Sequence, residues 1–186
     1  MLIPLRMSAQ SDEQLMTRAA RGSDRAFEEL YNRHARRLQG FFARRLGDDA
    51  DLAADFMHDT FLRLYAARES YREGRDFRAW LFTIAYNLCR NHHRNQLTIV
   101  SDEGVDITDE ASIEVELDTK DLHDALQDIL RKLPESYAML FSLHYEEELS
   151  VPQIAQITDL PEGTVKSRLH KAMNIIKQNL KQYEHH

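Results

Sequence analysis

The chain has 186 residues, of which 42% are apolar and 30% charged, with a net charge of -7, which is typical of a globular protein with one ordinary domain or two small ones. Its one cysteine, Cys89, excludes an intramolecular disulfide and any zinc-finger spacing, and favours a reducing cytoplasm. The N-terminal apolar stretch is too short for a signal peptide, and no segment approaches membrane-spanning length, so we expect no membrane insertion.

The first two predicted helices each carry apolar residues at three- and four-residue spacings, which indicates one buried face per helix. A short helix is expected around Leu15, Met16 and Ala19. Ser23 can cap a long second helix, which should end before Gly47. Alternating strand patterns are nearly absent, so we predict an all-α protein.

A third helix is predicted over about 49–67, and the helical pattern then breaks at Gly74. The fourth helix is expected over about 77–93. Its apolar stripe comprises Phe77, Trp80, Leu81, Ile84, Ala85 and Leu88. A different face carries Arg78, Tyr86, Asn87, Arg90, Asn91 and Arg94. We interpret these four helices as one domain, residues 10–97.

Cys89, His92 and His93 have the i, i+3, i+4 spacing of a shared helical face, which is compatible with metal binding. A structural zinc site requires four ligands, and no fourth one is nearby. We therefore interpret the three as one buried thiol and two exposed imidazoles, and we predict neither a metal site nor a cofactor.

A strongly acidic segment follows the first domain. Residues 101–118 contain eight acidic residues and no Lys or Arg, with no periodic apolar stripe. Such composition is typical of segments that do not fold alone. We therefore expect residues 98–118 to form a flexible linker.

A second helical domain is predicted over 119–183. Leu133-Pro134 marks a helix restart. Ser150 and Gln153 have capping-box spacing, which predicts a short helix that stops near Thr158. Pro161 is well placed to open the last helix.

The last predicted helix has two contrasting faces. Its apolar stripe comprises Val165, Leu169, Met173, Ile176 and Leu180. The other face comprises Lys166, Ser167, His170, Lys171, Asn174 and Lys177. A short capped helix, a tight turn and a basic second helix form a helix-turn-helix pattern that favours DNA binding. The competing interpretation is a solvated basic face.

The sequence from 133 to 173, "LPESYAMLFSLHYEEELSVPQIAQITDLPEGTVKSRLHKAM", resembles region 4 of the extracytoplasmic-function (ECF) sigma factors of the sigma-70 family. "DFMHDTFLRLY" resembles their region 2.2, and "FRAWLFTIAYNLCRNHHR" resembles regions 2.3 and 2.4. The resemblance spans nearly the whole chain. It implies a protein that brings core RNA polymerase to promoters and that needs no catalytic residue.

The resemblance also implies partners, which are the β′ clamp helices and the β flap of the polymerase, promoter DNA and an anti-sigma factor. The positions that match the clamp-binding face are Asp55, His58, Asp59 and Leu62. His58 stands where the family often has Gln. The acidic linker resembles the segment that the family threads into the RNA channel, although it reads equally well as a solubilising tether.

Two sets of positions match the DNA contacts of the family. The positions that match the family's contacts for capture and melting of the minus-10 element are Arg72, Gly74, Arg75, Asn87, Arg90, Asn91 and Arg94. The positions that match its contacts for recognition of the minus-35 element are Thr164, Lys166, Ser167, Arg168, His170 and Lys171. A stand-alone helix-turn-helix regulator and a decoy that binds an anti-sigma factor remain alternatives. Nucleotide-binding glycine loops and nucleophile motifs are missing, so we expect no enzyme.

Overall fold

The computed structural model describes residues 9–100 and 122–183. It divides the chain into two compact units, residues 1–97 and 98–186. Every long element within the described ranges is a helix, which confirms the predicted all-α fold class. No helix there is both long and apolar enough to cross a membrane. The acidic segment 101–118 lies outside the described residues, so its role as a linker stays a prediction.

Residues 9–100, as the structure describes them, contain four helices and one short 3₁₀ turn between the last two of them. They are α1 (Asp12–Ala20), α2 (Asp24–Arg45), α3 (Ala50–Ala66), the turn Arg68–Ser70 and α4 (Phe77–Val100). The side chains of Ser11, Ser23 and Asp49 cap the first three helices by accepting a backbone N–H of the first turn, which satisfies donors that a helix start leaves unpaired. The cap predicted at Ser23 is therefore confirmed.

Helix α4 is longer than the sequence pattern predicted. It runs to Val100 instead of ending near His93, and no glycine or proline lies between these residues to stop it. Residues 98–100, which the sequence pattern places in the linker, are helical.

Aromatic packing joins α4 to its neighbours in the first unit. The Phe41 ring of α2 packs edge-on against Phe82 of α4, with centroids 5.4 Å apart. Phe56 of α3 packs edge-on against His92 of α4 at 5.4 Å. Because two helices contact α4, its buried face is wider than the apolar stripe in the sequence predicted. Ala79, Phe82 and Cys89 are buried as well, whereas Ile84 is only half-buried.

The expectation of two exposed imidazoles was wrong, because His92 and His93 are both half-buried. The contact between His92 and Phe56 accounts for the burial of the first ring. Cys89 is buried as predicted. In the part of the chain that the structure describes, no group of three or more His, Cys, Asp or Glu side chains could hold a metal ion.

A partly buried ionic network ties α1 to α2. The carboxylate of Asp12 lies 2.6 Å from His34 Nε2 and 3.0 Å from an Arg33 guanidinium nitrogen. Arg33 also bonds Glu29 at 2.9 Å. Burial raises the pKa of Asp12, but the hydrogen bonds and positive charge of His34 and Arg33 outweigh burial and hold the pKa below its ordinary value.

We expect the Asp12 network to make the stability of the first unit depend on pH in the acidic range. A carboxylate whose pKa is lowered by folding stabilises the folded state above its unfolded pKa of about 4, and this stabilisation is lost as the pH falls through the folded pKa. The fluorescence of Trp80, the one tryptophan of the chain, can follow urea unfolding of this unit. Asp12→Asn should have a lower free energy of unfolding than the original protein at pH 7, and this deficit should shrink towards pH 3. Glu28→Gln, at an exposed position of α2, is the control. A deficit independent of pH would contradict this account.

Over residues 122–183, the second unit packs one long helix against three shorter ones. Its elements are α5 (Leu122–Lys132), α6 (Glu135–Phe141), a π-helical turn (Ser142–Glu146), α7 (Val151–Thr158) and α8 (Glu162–Tyr183). Helices α5, α6 and α7 all contact α8. The core includes Ile129, Leu130 and Phe141, which cluster with Ile176 of α8. This packing leaves one face of α8 available to solvent.

The π-helical turn after α6 was not predicted. It is closed by a hydrogen bond from the Glu147 N–H to the Ser142 carbonyl at 2.9 Å, and the Leu149 N–H bonds the Leu143 carbonyl at 3.0 Å. Leu143 and Leu149 are both buried. Glu148 adopts a left-handed conformation with φ of 54°, for which a glycine would have been the usual sequence signal. Residues 147–149 then lead the chain to Ser150, the N-cap of α7.

Candidate functional site

Helices α7 and α8 form the predicted helix-turn-helix. The hydroxyl of Ser150 accepts the Gln153 N–H at 3.5 Å, and the Ser150 N–H donates to the Gln153 side-chain oxygen at 2.7 Å. This is the predicted capping box. Asp159 ends α7 in a left-handed conformation with φ of 58°, and the Pro161 carbonyl accepts the Thr164 N–H at the start of α8.

We expect Ser150→Ala to loosen α7 without unfolding the chain. Loss of an N-cap side chain costs about 1 kcal/mol, so backbone amides of α7 should exchange with solvent about fivefold faster. Hydrogen exchange followed by mass spectrometry measures this locally. Ser150→Thr keeps a capping hydroxyl and should restore most of the protection. Equal protection in the alanine variant and the original protein would show that the cap does not hold α7.

The polar face predicted on α8 is exposed along its whole length. The exposed residues are Lys166, Ser167, His170, Lys171, Asn174 and Lys177. Thr164 and Arg168 are half-buried at its edge, whereas Val165 and Leu169 face the core. Lys166 lies 3.7 Å from Glu162, the one acid of the helix, and both side chains are more than half exposed. A weak surface pair of this kind leaves the lysine accessible to an anion.

Sequence reasoning missed two residues beside this face. Ser136 and Tyr137, at the start of α6, line a shallow concavity together with the polar face of α8, namely Gly163, Thr164, Ser167, Arg168 and Lys171. Hydroxyl and cationic groups in one concavity can donate hydrogen bonds to phosphate oxygens. The only signal in the sequence was the helix restart at Pro134, because the contact between α6 and α8 is a long-range one.

In the first unit, the polar face predicted on α4 is exposed at four of its six residues, whereas Arg78 and Tyr86 are half-buried. Asn87, Arg90, Asn91 and Arg94 are all solvent-accessible, and their spacing places them along one helical face. The preceding loop, residues 71–76, exposes Arg72 and Gly74 and leaves Arg75 half-buried. The first unit therefore has a solvent-accessible strip of Arg and Asn side chains.

Helix α1 contributes residues that the sequence pattern did not single out. Glu13, Gln14, Thr17 and Arg18 of α1, with Gln10 just before the helix, line an open concavity with Glu73 and Gly74 of the loop 71–76. Amide, carboxylate and guanidinium groups are the types that hydrogen-bond the edges of unpaired bases. No sequence rule connects α1 to a loop more than fifty residues later, so this neighbourhood was visible only in the structure.

The third set of predicted residues lies on α3. Asp55, His58 and Leu62 are exposed and Asp59 is half-buried. Leu62 is 68% exposed, which is the highest exposure among the large apolar residues of the described chain. Asp59 pairs with Arg63 at 3.0 Å. The α3 face therefore combines one exposed apolar side chain with acidic and imidazole groups.

His58 has a partner on α2 that the sequence did not predict. The Tyr31 hydroxyl lies 3.2 Å from His58 Nε2, and the two rings are nearly parallel, with centroids 6.4 Å apart. Tyr31 also packs against Phe61 at 4.8 Å. The imidazole is therefore held in one orientation on the α3 face, a contact that periodicity within α3 could not reveal.

Comparison with known families matches both units. Residues 30–97 match the family described as Sigma-70 region 2, and residues 123–175 match Sigma-70, region 4. Each match lies within one of the two compact units. The polar faces of α3 and α4 fall in the first match and the face of α8 falls in the second.

Similar proteins cover the chain almost from end to end. RNA polymerase sigma factor CarQ of Myxococcus xanthus is 32% identical, over 91% of this chain and 97% of CarQ. The RNA polymerase sigma-H factor of Pseudomonas aeruginosa is 29% identical, over 94% of this chain and 96% of its own length. The ECF RNA polymerase sigma-E factor of Haemophilus influenzae is 28% identical, over 91% and 95% of the two chains.

Two solved structures share the fold. CnrH in complex with the cytosolic domain of CnrY gives a TM-score of 0.69 at 25% identity, covering 93% of this chain and 99% of CnrH. The sigma factor RpoE in complex with the anti-sigma factor NepR from Bartonella quintana gives 0.66 at 28% identity, covering 83% of this chain and 96% of RpoE.

Proposed function

Since this chain belongs to the ECF group of the sigma-70 family, we propose that it directs core RNA polymerase to promoters, with contacts to the enzyme from both units and two surfaces for DNA. The observation that carries the DNA part is the exposed face of α8, where Lys166, Ser167, His170 and Lys171 lie side by side at the start of a helix presented by a helix-turn-helix. These side chains suit the edges of bases and the phosphates of a major groove.

On this proposal, the first turns of α8 read the minus-35 element. Lys166, Ser167, His170 and Lys171 meet the groove, while the half-buried Thr164 and Arg168 lie nearer the DNA backbone. The concavity that includes Ser136 and Tyr137 would receive a phosphate of the same duplex. Phosphate contacts fix the register of the helix, and contacts with base edges supply the sequence preference.

The first unit would capture and melt the minus-10 element. The exposed loop residues Arg72 and Gly74, with Arg75, lie beside the polar concavity of α1. The separated strand would bind along α4, at Asn87, Arg90, Asn91 and Arg94. Extruding a base costs a few kcal/mol, so contacts with the polymerase must share in the melting.

Binding to the polymerase is assigned to the α3 face, with the β′ clamp helices as partner. Leu62 supplies exposed apolar area, and Asp55, His58 and Asp59 supply charge and hydrogen bonds around it. The β flap is the partner that we propose for the second unit. The chain would act by binding alone, with no catalytic residue and no cofactor, in the cytoplasm where the polymerase works.

An anti-sigma factor is a further proposed partner. The two structural relatives are described in complexes, one with the cytosolic domain of CnrY and the other with the anti-sigma factor NepR. Such a partner would compete with the polymerase by covering the same surfaces. A signal that removes the anti-sigma factor would then release a folded protein that can bind the polymerase at once.

Transcription in vitro tests the proposed function. Core polymerase, purified without any sigma factor, is supplied with genomic fragments and with this protein, and the 5′ ends of the transcripts are sequenced. We expect initiation at a limited set of sites that share two upstream elements. A stand-alone helix-turn-helix regulator would bind duplex DNA without creating start sites, and an anti-sigma decoy would do neither. No new start site with active core would contradict the proposal.

A further inference from the structure

A buried pair of stacked aromatic rings stabilises the conformation of the loop 71–76. Tyr71, at its start, is 8% exposed, and Trp80, one turn into α4, is 6% exposed. Their rings stack with centroids 5.3 Å apart and an interplanar angle of 28°. The Tyr71 hydroxyl donates a hydrogen bond to the Arg75 carbonyl at the far side of the loop. One side chain therefore connects the loop's two ends.

The same hydroxyl stays a donor at every physiological pH. Burial, together with the negative charge of Glu13 and Asp76, raises the pKa of Tyr71 to about 12. The phenol therefore keeps its proton, and the bond to the Arg75 carbonyl does not depend on pH in the working range.

Further contacts fix the side of the loop that leads into α4. The Arg75 guanidinium lies 5.0 Å from the centroid of the Trp80 ring, which is a cation–π distance. The Arg75 N–H donates to the Arg72 carbonyl at 3.0 Å, which closes a tight turn around Gly74. Asp76 caps α4 by accepting the Ala79 N–H at 2.7 Å. Phe77, the first residue of α4, is fully buried.

The tip of the loop contrasts with these fixed ends. Arg72, Glu73 and Gly74 are exposed, and Gly74 has a left-handed φ of 85°. An added Cβ at Gly74 would meet no atom within 4 Å, so the space in front of the tip is open. The loop therefore presents a small accessible tip on a base that is buried and hydrogen-bonded.

We propose that Tyr71 and Trp80 are positioning residues that pre-form the loop 71–76 for capture of an unpaired base of the promoter strand. The inference rests on the proposed function of this loop in the minus-10 element. A loop that is ordered before DNA arrives loses less conformational entropy on binding, so more of the contact energy remains for holding the strand. Arg75 then serves the loop by contacting Trp80 as well as by attracting phosphate.

Tyr71→Phe is the sharpest variant, because it keeps the stacked ring and removes only the hydroxyl. The test uses holoenzyme assembled from core polymerase and the full chain, and a promoter identified by transcript sequencing. One probe carries an unpaired bubble across the minus-10 element, and a second is a duplex with the minus-35 element alone. We expect the variant to bind the bubble about three- to tenfold more weakly, the range for loss of one hydrogen bond. Binding to the duplex and to core polymerase should not change.

Tyr65→Phe is the matched control. It also removes a tyrosine hydroxyl from the first unit, one that bonds Asp24 at 3.1 Å, and it should bind the bubble normally. Trp80→Phe should weaken bubble binding in the same direction as Tyr71→Phe. Thermal unfolding of each variant reports any general loss of stability.

Two outcomes would overturn the positioning role, and a third would overturn the proposed function of the loop. Bubble binding by Tyr71→Phe within twofold of the original protein would overturn the positioning role. An equal loss on the bubble and on the duplex would also overturn it, since that pattern indicates a general defect. If the original holoenzyme itself did not prefer the bubble to the same sequence fully paired, the proposed function of the loop would fail instead.

Discussion

Leu62→Asp is expected to weaken binding to core RNA polymerase at least about 30-fold, the effect of losing a contact of about 2 kcal/mol at the centre of an interface. Leu62 is 68% exposed, so its side chain contributes little to folding and is available to a partner. A carboxylate at this position would have to be buried without a counter-charge, in a face that already carries Asp55 and Asp59. A titration of labelled protein with core polymerase measures the dissociation constant.

Leu62→Met is the matched control, because it keeps an apolar side chain of similar volume. Its affinity should stay within about threefold of the original protein. Thermal unfolding of both variants should be nearly unchanged, as is usual for exposed positions. Normal binding by Leu62→Asp would remove α3 from the proposed polymerase interface.

The second large effect is expected from removing two lysines of α8 together. Lys166→Ala with Lys171→Ala should lower affinity for a minus-35 duplex by about one to two orders of magnitude at low salt. Four Lys and Arg side chains precede the last turn of α8, namely Lys166, Arg168, Lys171 and Lys177, so the log–log slope of affinity against salt should be roughly -3 to -4 in the original protein. It should become shallower by about two in the double variant, since each phosphate contact contributes close to one.

Lys181→Ala is the control that shows whether the effect depends on where the lysine lies on α8 or only on the loss of one positive charge. Lys181 is an exposed lysine in the last turn of the same helix, about 20 Å from the first turns at 1.5 Å per residue. It should leave both the affinity and the slope almost unaltered. A double variant with an unaltered slope would mean that the phosphates lie elsewhere.

Much of the second unit could be predicted because its signals are local. The pair Ser150 and Gln153 is three residues apart, and capping is decided by geometry over that distance. The apolar spacing of α8 likewise fixes which face packs and which is exposed. Local rules therefore identified the helix-turn-helix and its polar face from the sequence.

The contacts missed by the prediction join residues that are distant in the chain or belong to an irregular turn. Tyr31 and His58 meet only because α2 packs on α3, and no periodic rule within either helix predicts the pair. The π-helical turn before Ser150 carries no glycine at its left-handed residue, Glu148. Helix α4 continued past its predicted end because nothing in the sequence stops it. Burial of His92 similarly required knowledge of its neighbour, Phe56.

The measurement that tests the central claim most directly is association of the original protein with core polymerase when no inhibitor is present. Fluorescence anisotropy of the labelled chain, titrated with sigma-free core, gives the affinity, and unlabelled protein should compete for the same site. We expect saturable one-to-one binding that Leu62→Asp weakens and the double variant of α8 does not. If a folded chain shows no saturable binding to active core, the account is contradicted.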